Sequence, residues 1–118
     1  MGRPIVHFEI GARDYEKAMQ FYGKVFDWNH SEHAGIKYVL IPPQAKDSIG
    51  GGINQIQEGQ QPYVTIYVQV DDLQAYLDKA EANGGKTVVR PTPIPGTGSF
   101  AWLTDPDGNL VGLFKDNK

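Results

Sequence analysis

Two stretches of this 118-residue chain follow one plan at an offset of about 58 residues. Each opens on a strand-like run, "PIVHFEIGA" or "YVTIYVQV", rich in β-branched and aromatic residues and partly alternating. An aspartate follows each run. Asp14 and Asp72 are suited to cap a helix, because a carboxylate accepts from the free amides of a first turn. Behind Asp14, the residues Tyr15, Ala18, Met19, Tyr22, Val25 and Phe26 recur at three- and four-residue spacing and predict one apolar helix face. Behind Asp72, Leu73, Tyr76, Leu77 and Ala80 do the same, and Asn83-Gly84-Gly85 ends the helix. Further strands follow each helix. A twofold strand–helix–strands plan predicts an α+β fold of two paired β-α-β-β-β modules, about 1–58 and about 59–118, in a single domain.

The remaining strands are read from local chemistry. "IKYVLIPP" is a strand stopped by Pro42 and Pro43, and "SIGGGINQI" is a weaker one diluted by glycine. The Gln/Gly stretch "QIQEGQQP" links the modules. "KTVVRP" predicts a short strand and "PTPIPGTG" a loop. "SFAWLT" and "NLVGLF" form a hairpin about Asp105-Pro106-Asp107-Gly108.

Bulk properties narrow the function. The net charge of -3 provides no basic field for nucleic acid or an anionic membrane. With no cysteine there is no disulfide framework, thiolate ligand or cysteine nucleophile. No apolar run approaches the roughly 18 residues of a membrane span, and "MGRPIVHFEI" is too polar for a signal peptide. These features predict a cytoplasmic protein with neither nucleic-acid nor membrane partners.

Three stretches, "VHFEIGARDYEKAMQFYGKVFDW", "VQVDDLQAYLDKAEANGGK" and "TDPDGNLVGLF", taken in this order, resemble the vicinal oxygen chelate superfamily. This is the glyoxalase, bleomycin-resistance and extradiol dioxygenase group, and the resemblance covers nearly the whole chain. It implies a curled eight-stranded mixed sheet with helices outside, a small-molecule ligand and a homodimer. It also implies four metal-ligand positions inside the curl, where a divalent ion acts as a Lewis acid. The first-strand histidine matches His7. The fifth-strand ligand falls at Thr65, about 58 residues on, and the last-strand glutamate falls at Gly112. The fourth-strand ligand lies in Gly51–Asn54, which holds no histidine or carboxylate. A catalytic divalent ion usually asks for about three protein ligands plus an open position. One matched ligand of four therefore predicts no metal and no cofactor. Gly112 is also expected to enlarge the pocket.

On this reading the chain is a small-molecule-binding protein of the glyoxalase/bleomycin-resistance type, and any enzymatic role would be glyoxalase-like. The alternative is a metal-dependent lyase, isomerase or dioxygenase-like enzyme of the same superfamily. His7 and Glu9 share a strand face and are the candidates for acid–base work or ligand hydrogen bonding. The competing view of His7 is a packed residue bonded to backbone. Tyr63, Thr65 and Tyr67 share a face of the fifth strand, where the tyrosines either stack on a flat ligand or fill the wall themselves. Leu110, Gly112 and Phe114 offer an apolar floor, with Val111 and Leu113 turned towards a helix. Phe100 and Trp102 share one face, but sequence does not say which. "HSEH", His30 to His33, reads as a solvated edge, and "GGG", Gly50 to Gly52, lacks the lysine and helix of a phosphate loop.

Overall fold

A computed structural model describes residues 2–32 and 36–117. Its elements are β1 (Ile5–Ala12), α1 (Tyr15–Phe26), β2 (Ser31–Glu32), β3 (Tyr38–Ile41), β4 (Gly50–Gln55), β5 (Tyr63–Gln69), α2 (Leu73–Ala82), β6 (Lys86–Ile94), β7 (Gly98–Thr104) and β8 (Leu110–Asp116). The eight strands hydrogen-bond in the order β2-β3-β4-β1-β5-β8-β7-β6. The α+β class is the one that the repeat predicts, and the eight-stranded mixed sheet is the one that the resemblance implies. The chain divides into two compact units, His7–Thr65 and the described residues on either side of it.

In the unit His7–Thr65, β1 runs parallel to β4, from His7 opposite Gly50 to Ala12 opposite Gln55. β3 pairs antiparallel with β4, and β2 with β3. Asp14 caps α1, its Oδ1 accepting from the amides of Glu16 at 3.1 Å and Lys17 at 3.2 Å. The helix lays Tyr15, Ala18, Met19 and Tyr22 on a core of Ile10, Ala12, Val39, Ile41 and Ile53. Full burial of side chains such as Val39 and Ile53 stabilises by about 1.5–3 kcal/mol each.

The second unit repeats the scheme. β5 runs parallel to β8, with Tyr67 opposite Gly112, while β7 pairs antiparallel with β8 and β6 with β7. Asp72 caps α2 through the Ala75 amide at 3.0 Å. Leu73 and Leu77 then pack with Val70, Ala101 and Leu113. In the β7–β8 turn Gly108 takes φ +91, which glycine adopts without strain, and its amide bonds Asp105 O at 2.9 Å.

Four details differ from, or sharpen, the sequence reading. Val25 and Phe26 are 53% and 55% exposed, because the inward stripe of α1 is narrower than its run of apolar residues. Part of "PTPIPGTG" is strand: β6 continues through Pro91 and Pro93 to Ile94. β6 lies at one end of the strand order, where proline's missing N–H is tolerated, and its register shifts across Pro91. Ser31 and Glu32 form the exposed strand β2 at the opposite end of that order, and His33 lies outside the described residues. The glycines of β4 make room for neighbouring rings, as described below. No helix among the described residues is long and apolar enough to cross a membrane.

Candidate functional site

Alternation along β1 puts Phe8, Ile10 and Ala12 on the α1 side, and His7, Glu9 and Gly11 on the other. Glu9 is only 5% exposed. A carboxylate this buried needs hydrogen-bond partners, because burying a bare charge is very costly. Tyr38 on β3 donates its hydroxyl to Glu9 Oε1 at 2.9 Å, and Tyr63 on β5 donates to Oε2 at 2.7 Å. His7 Nε2 lies 3.0 Å from Tyr38 Oη, and Asn54 Nδ2 donates to Tyr63 Oη at 3.1 Å. Five side chains from four strands thus form one network within His7–Thr65, with the sequence candidates His7, Glu9 and Tyr63 together in it.

Glycine permits this arrangement. A Cβ on Gly52 would overlap the hydroxyl end of Tyr38, and one on Gly11 would overlap the ring of Tyr63. On the opposite face Phe8 lies over Gly51 in the same way. The "GGG" run is therefore a strand cut away for aromatic neighbours.

Burial lowers the His7 pKa from its ordinary 6.5, so the ring is neutral at neutral pH. Burial, and then the bond to Glu9, push the Tyr63 pKa up and keep its hydroxyl a donor. Tyr63 also lines an open cleft of about 380 Å³, whose apolar walls include Ile10, Ala12, Ala18, Tyr22 and Val64.

Thr65 is buried in the same unit. Tyr67, Leu110, Gly112 and Phe114 belong to the second unit. There the ring of Tyr67 lies over Gly112, and its hydroxyl accepts from Trp102 Nε1 at 2.8 Å. The expectation that Gly112 enlarges a pocket is thus incorrect, since Tyr67 fills the space its missing side chain leaves. Trp102 stands opposite Gly112 and Phe100 opposite Phe114. Ala101 and Leu113 pack on the α2 side, so Phe100 and Trp102 lie on the face away from α2. Leu110 and Phe114 share that face and are half-buried.

Tyr38 and Asn54 join this network and were not among the sequence candidates. The one available signal was the glycine run, since glycine inside a strand often marks close approach by another group.

Of the four positions that the resemblance matches, His7, Thr65 and the stretch Gly51–Asn54 lie in one unit and Gly112 in the other. In that stretch Gly52 stands opposite Glu9, as Gly112 stands opposite Tyr67. Each unit is therefore judged by its own donors, with Gly52 taken for the stretch. The four positions offer one imidazole, one hydroxyl and two glycines that lie beneath tyrosine rings. Glu9, the nearby carboxylate, receives a phenol hydroxyl on each oxygen. No three His, Asp or Glu side chains among the described residues are grouped to hold a metal ion. This donor set does not fit the metal that the resemblance implies.

Known proteins share the fold. The model of the Glyoxalase/Bleomycin resistance protein/Dioxygenase superfamily matches residues 4–113. The glyoxylase-assigned protein CFP32 of Mycobacterium tuberculosis is 28% identical over 93% of this chain, which spans 44% of that relative's length. A Vibrio cholerae protein named probable lactoylglutathione lyase is 27% identical over 97% of this chain and 91% of its own. Among solved structures, the Mn(II)-bound glyoxalase from Novosphingobium aromaticivorans aligns with a TM-score of 0.68 at 20% identity. That alignment covers 98% of this chain and 40% of the other. At that identity the likeness concerns the fold alone.

Proposed function

The chain belongs to the glyoxalase/bleomycin resistance protein/dioxygenase superfamily, and on that footing we propose that it binds a small organic molecule, without a metal ion, at the hydroxyl cluster around Glu9. The observation that carries this reading is the convergence of two tyrosine hydroxyls on a buried carboxylate linked to His7. Besides satisfying the buried Glu9, such a network holds polar groups in fixed places, as a site that orients a small ligand by hydrogen bonds does. His7 and Glu9 are its acid–base pair, with Tyr63 and Thr65 beside them. In the second unit, Tyr67, Leu110 and Phe114, with Gly112 beneath Tyr67, form a further aromatic contact surface. The chain acts as one glyoxalase/bleomycin-resistance-like domain and as a homodimer, for which the exposed Phe21, Val25 and Phe26 of α1 supply an apolar stripe.

The competing reading is a metal-dependent lyase or isomerase, and the name of the Vibrio cholerae relative favours it. The two separate experimentally. Metal content after chelator-free purification, and lactoylglutathione formation with and without Zn, Ni or Mn, are measured alongside a small-molecule thermal-shift screen. Stoichiometric metal with metal-dependent turnover overturns the binding reading. Ligand-induced stabilisation that chelator leaves intact supports it.

A further inference from the structure

The hydrogen bonds around Glu9 have a direction. Glu9 receives a hydroxyl on each oxygen, which is the arrangement of a carboxylate acting only as acceptor. Tyr38 has a single hydroxyl proton, and that proton is committed to Glu9 Oε1. Toward His7 its oxygen can then only accept, so the contact at 3.0 Å requires the proton on Nε2. On the other side, Asn54 Nδ2 donates to Tyr63, which donates to Oε2. Two donor chains thus run inward to Glu9, one starting at His7 and one at Asn54.

We propose that Tyr38 is a positioning residue that fixes His7 in its Nε2–H tautomer, so that Nδ1 is the proton-accepting nitrogen of the site. This rests on reading the Glu9 cluster as the ligand site. It also narrows the ligand class. A neutral ring with its proton on Nε2 keeps an acceptor nitrogen, which suits a weakly acidic O–H or N–H such as a phenol, enol or imide. The neutral state that burial gives His7 supports the assignment, because an imidazolium would carry protons on both nitrogens. Gly52 is part of the device, since only glycine there lets the Tyr38 ring reach across to both groups.

The test is ¹⁵N NMR of the His7 ring in the ligand-free protein. The wild type is expected to show a protonated Nε2 and an unprotonated Nδ1. Tyr38→Phe keeps the ring and removes the hydroxyl, and is expected to give a mixture of tautomers. A wild-type proton on Nδ1, or a tautomer that Tyr38→Phe leaves unchanged, overturns the proposal. The ligand class is tested by thermal shift with phenols and their O-methyl ethers. Phenols are expected to stabilise the wild type and to lose most of that shift in Tyr38→Phe. Ethers that stabilise as well as the phenols overturn the class. A screen in which nothing stabilises the protein sinks the binding reading instead, and the NMR result still decides the tautomer.

Discussion

At the scale of single residues, glycines and tyrosines act in pairs. Gly52 sits under Tyr38 and Gly112 under Tyr67, so a methyl group at either position meets a ring that is already packed. Overpacking of this kind costs about 1–3 kcal/mol. We expect Gly52→Ala and Gly112→Ala each to lose about that much stability in urea denaturation, while Gly23→Ala, with open space around it, changes little or gains. Gly112→Glu should not create a metal site. It would displace Tyr67 from its bond with Trp102, and calorimetric titration with Zn should find no tight one-to-one binding. His7 gives a pH prediction of definite sign. Its folded pKa lies below the ordinary 6.5, so in acid the unfolded chain binds more protons than the native one. The His7 contribution is therefore fully present above about 6.5, shrinks as pH falls through that value, and levels off below the folded pKa. His7→Gln should flatten that part of a plot of melting temperature against pH, and an unchanged slope would rule His7 out as its source. That His7 and Glu9 share a face was legible, because alternation on one strand needs only local pattern. Tyr38 was not, because its place depends on the pairing of β3 with β4 and of β4 with β1, and nothing in "IKYVLI" announces that register.

At the scale of elements, both helix starts were legible, since a cap is a short-range device. Asp14 accepts from two first-turn amides, and Asp14→Ala should cost about 1 kcal/mol, measurable by chemical denaturation. Asp14→Asn keeps an acceptor oxygen and should restore most of the loss. The misreadings arose where local pattern competes with position in the sheet. The prolines of "PTPIPGTG" read as loop because proline cannot serve both sides of a central strand. β6 is flanked on one side only, so the same residues continue as strand to Ile94. On α1 the apolar residues form more than one stripe. Tyr15, Ala18, Met19 and Tyr22 meet the core, whereas Phe21 and Val25, four residues apart, stand outside it. Phe26 stacks on Tyr22 and Trp28 while remaining more than half exposed. Spacing identified the helix but could not say which of its apolar residues the sheet would cover.

At the scale of the whole molecule, the internal repeat carried most of what could be read, because the pairing scheme of one unit recurs in the other. The metal question belongs to this scale as well, since a metal held only by the native state raises its melting temperature. For the purified protein we expect no stoichiometric Zn, Ni, Fe or Mn, and no shift in melting temperature on adding EDTA. Assembly is tested through the outer stripe of α1. Phe21 is 57% exposed, Val25 53% and Phe26 55%, three large apolar side chains close together on one short helix. Scattered apolar residues on a surface are ordinary, but a contiguous group marks a surface that another molecule tends to cover. A second copy of the chain is the simplest cover, because a twofold interface presents the same patch from both sides. Light scattering across micromolar concentrations should give twice the 13.1 kDa mass of the chain. Phe21→Glu and Val25→Glu each place a carboxylate opposite its own symmetry copy, and both variants should shift the mass to that of the monomer. The inward stripe of α1 is left intact, so circular dichroism should show the same helix content before and after. A wild-type mass of one chain would reject the dimer. A dimer mass that survives both substitutions would place the interface on some surface other than α1.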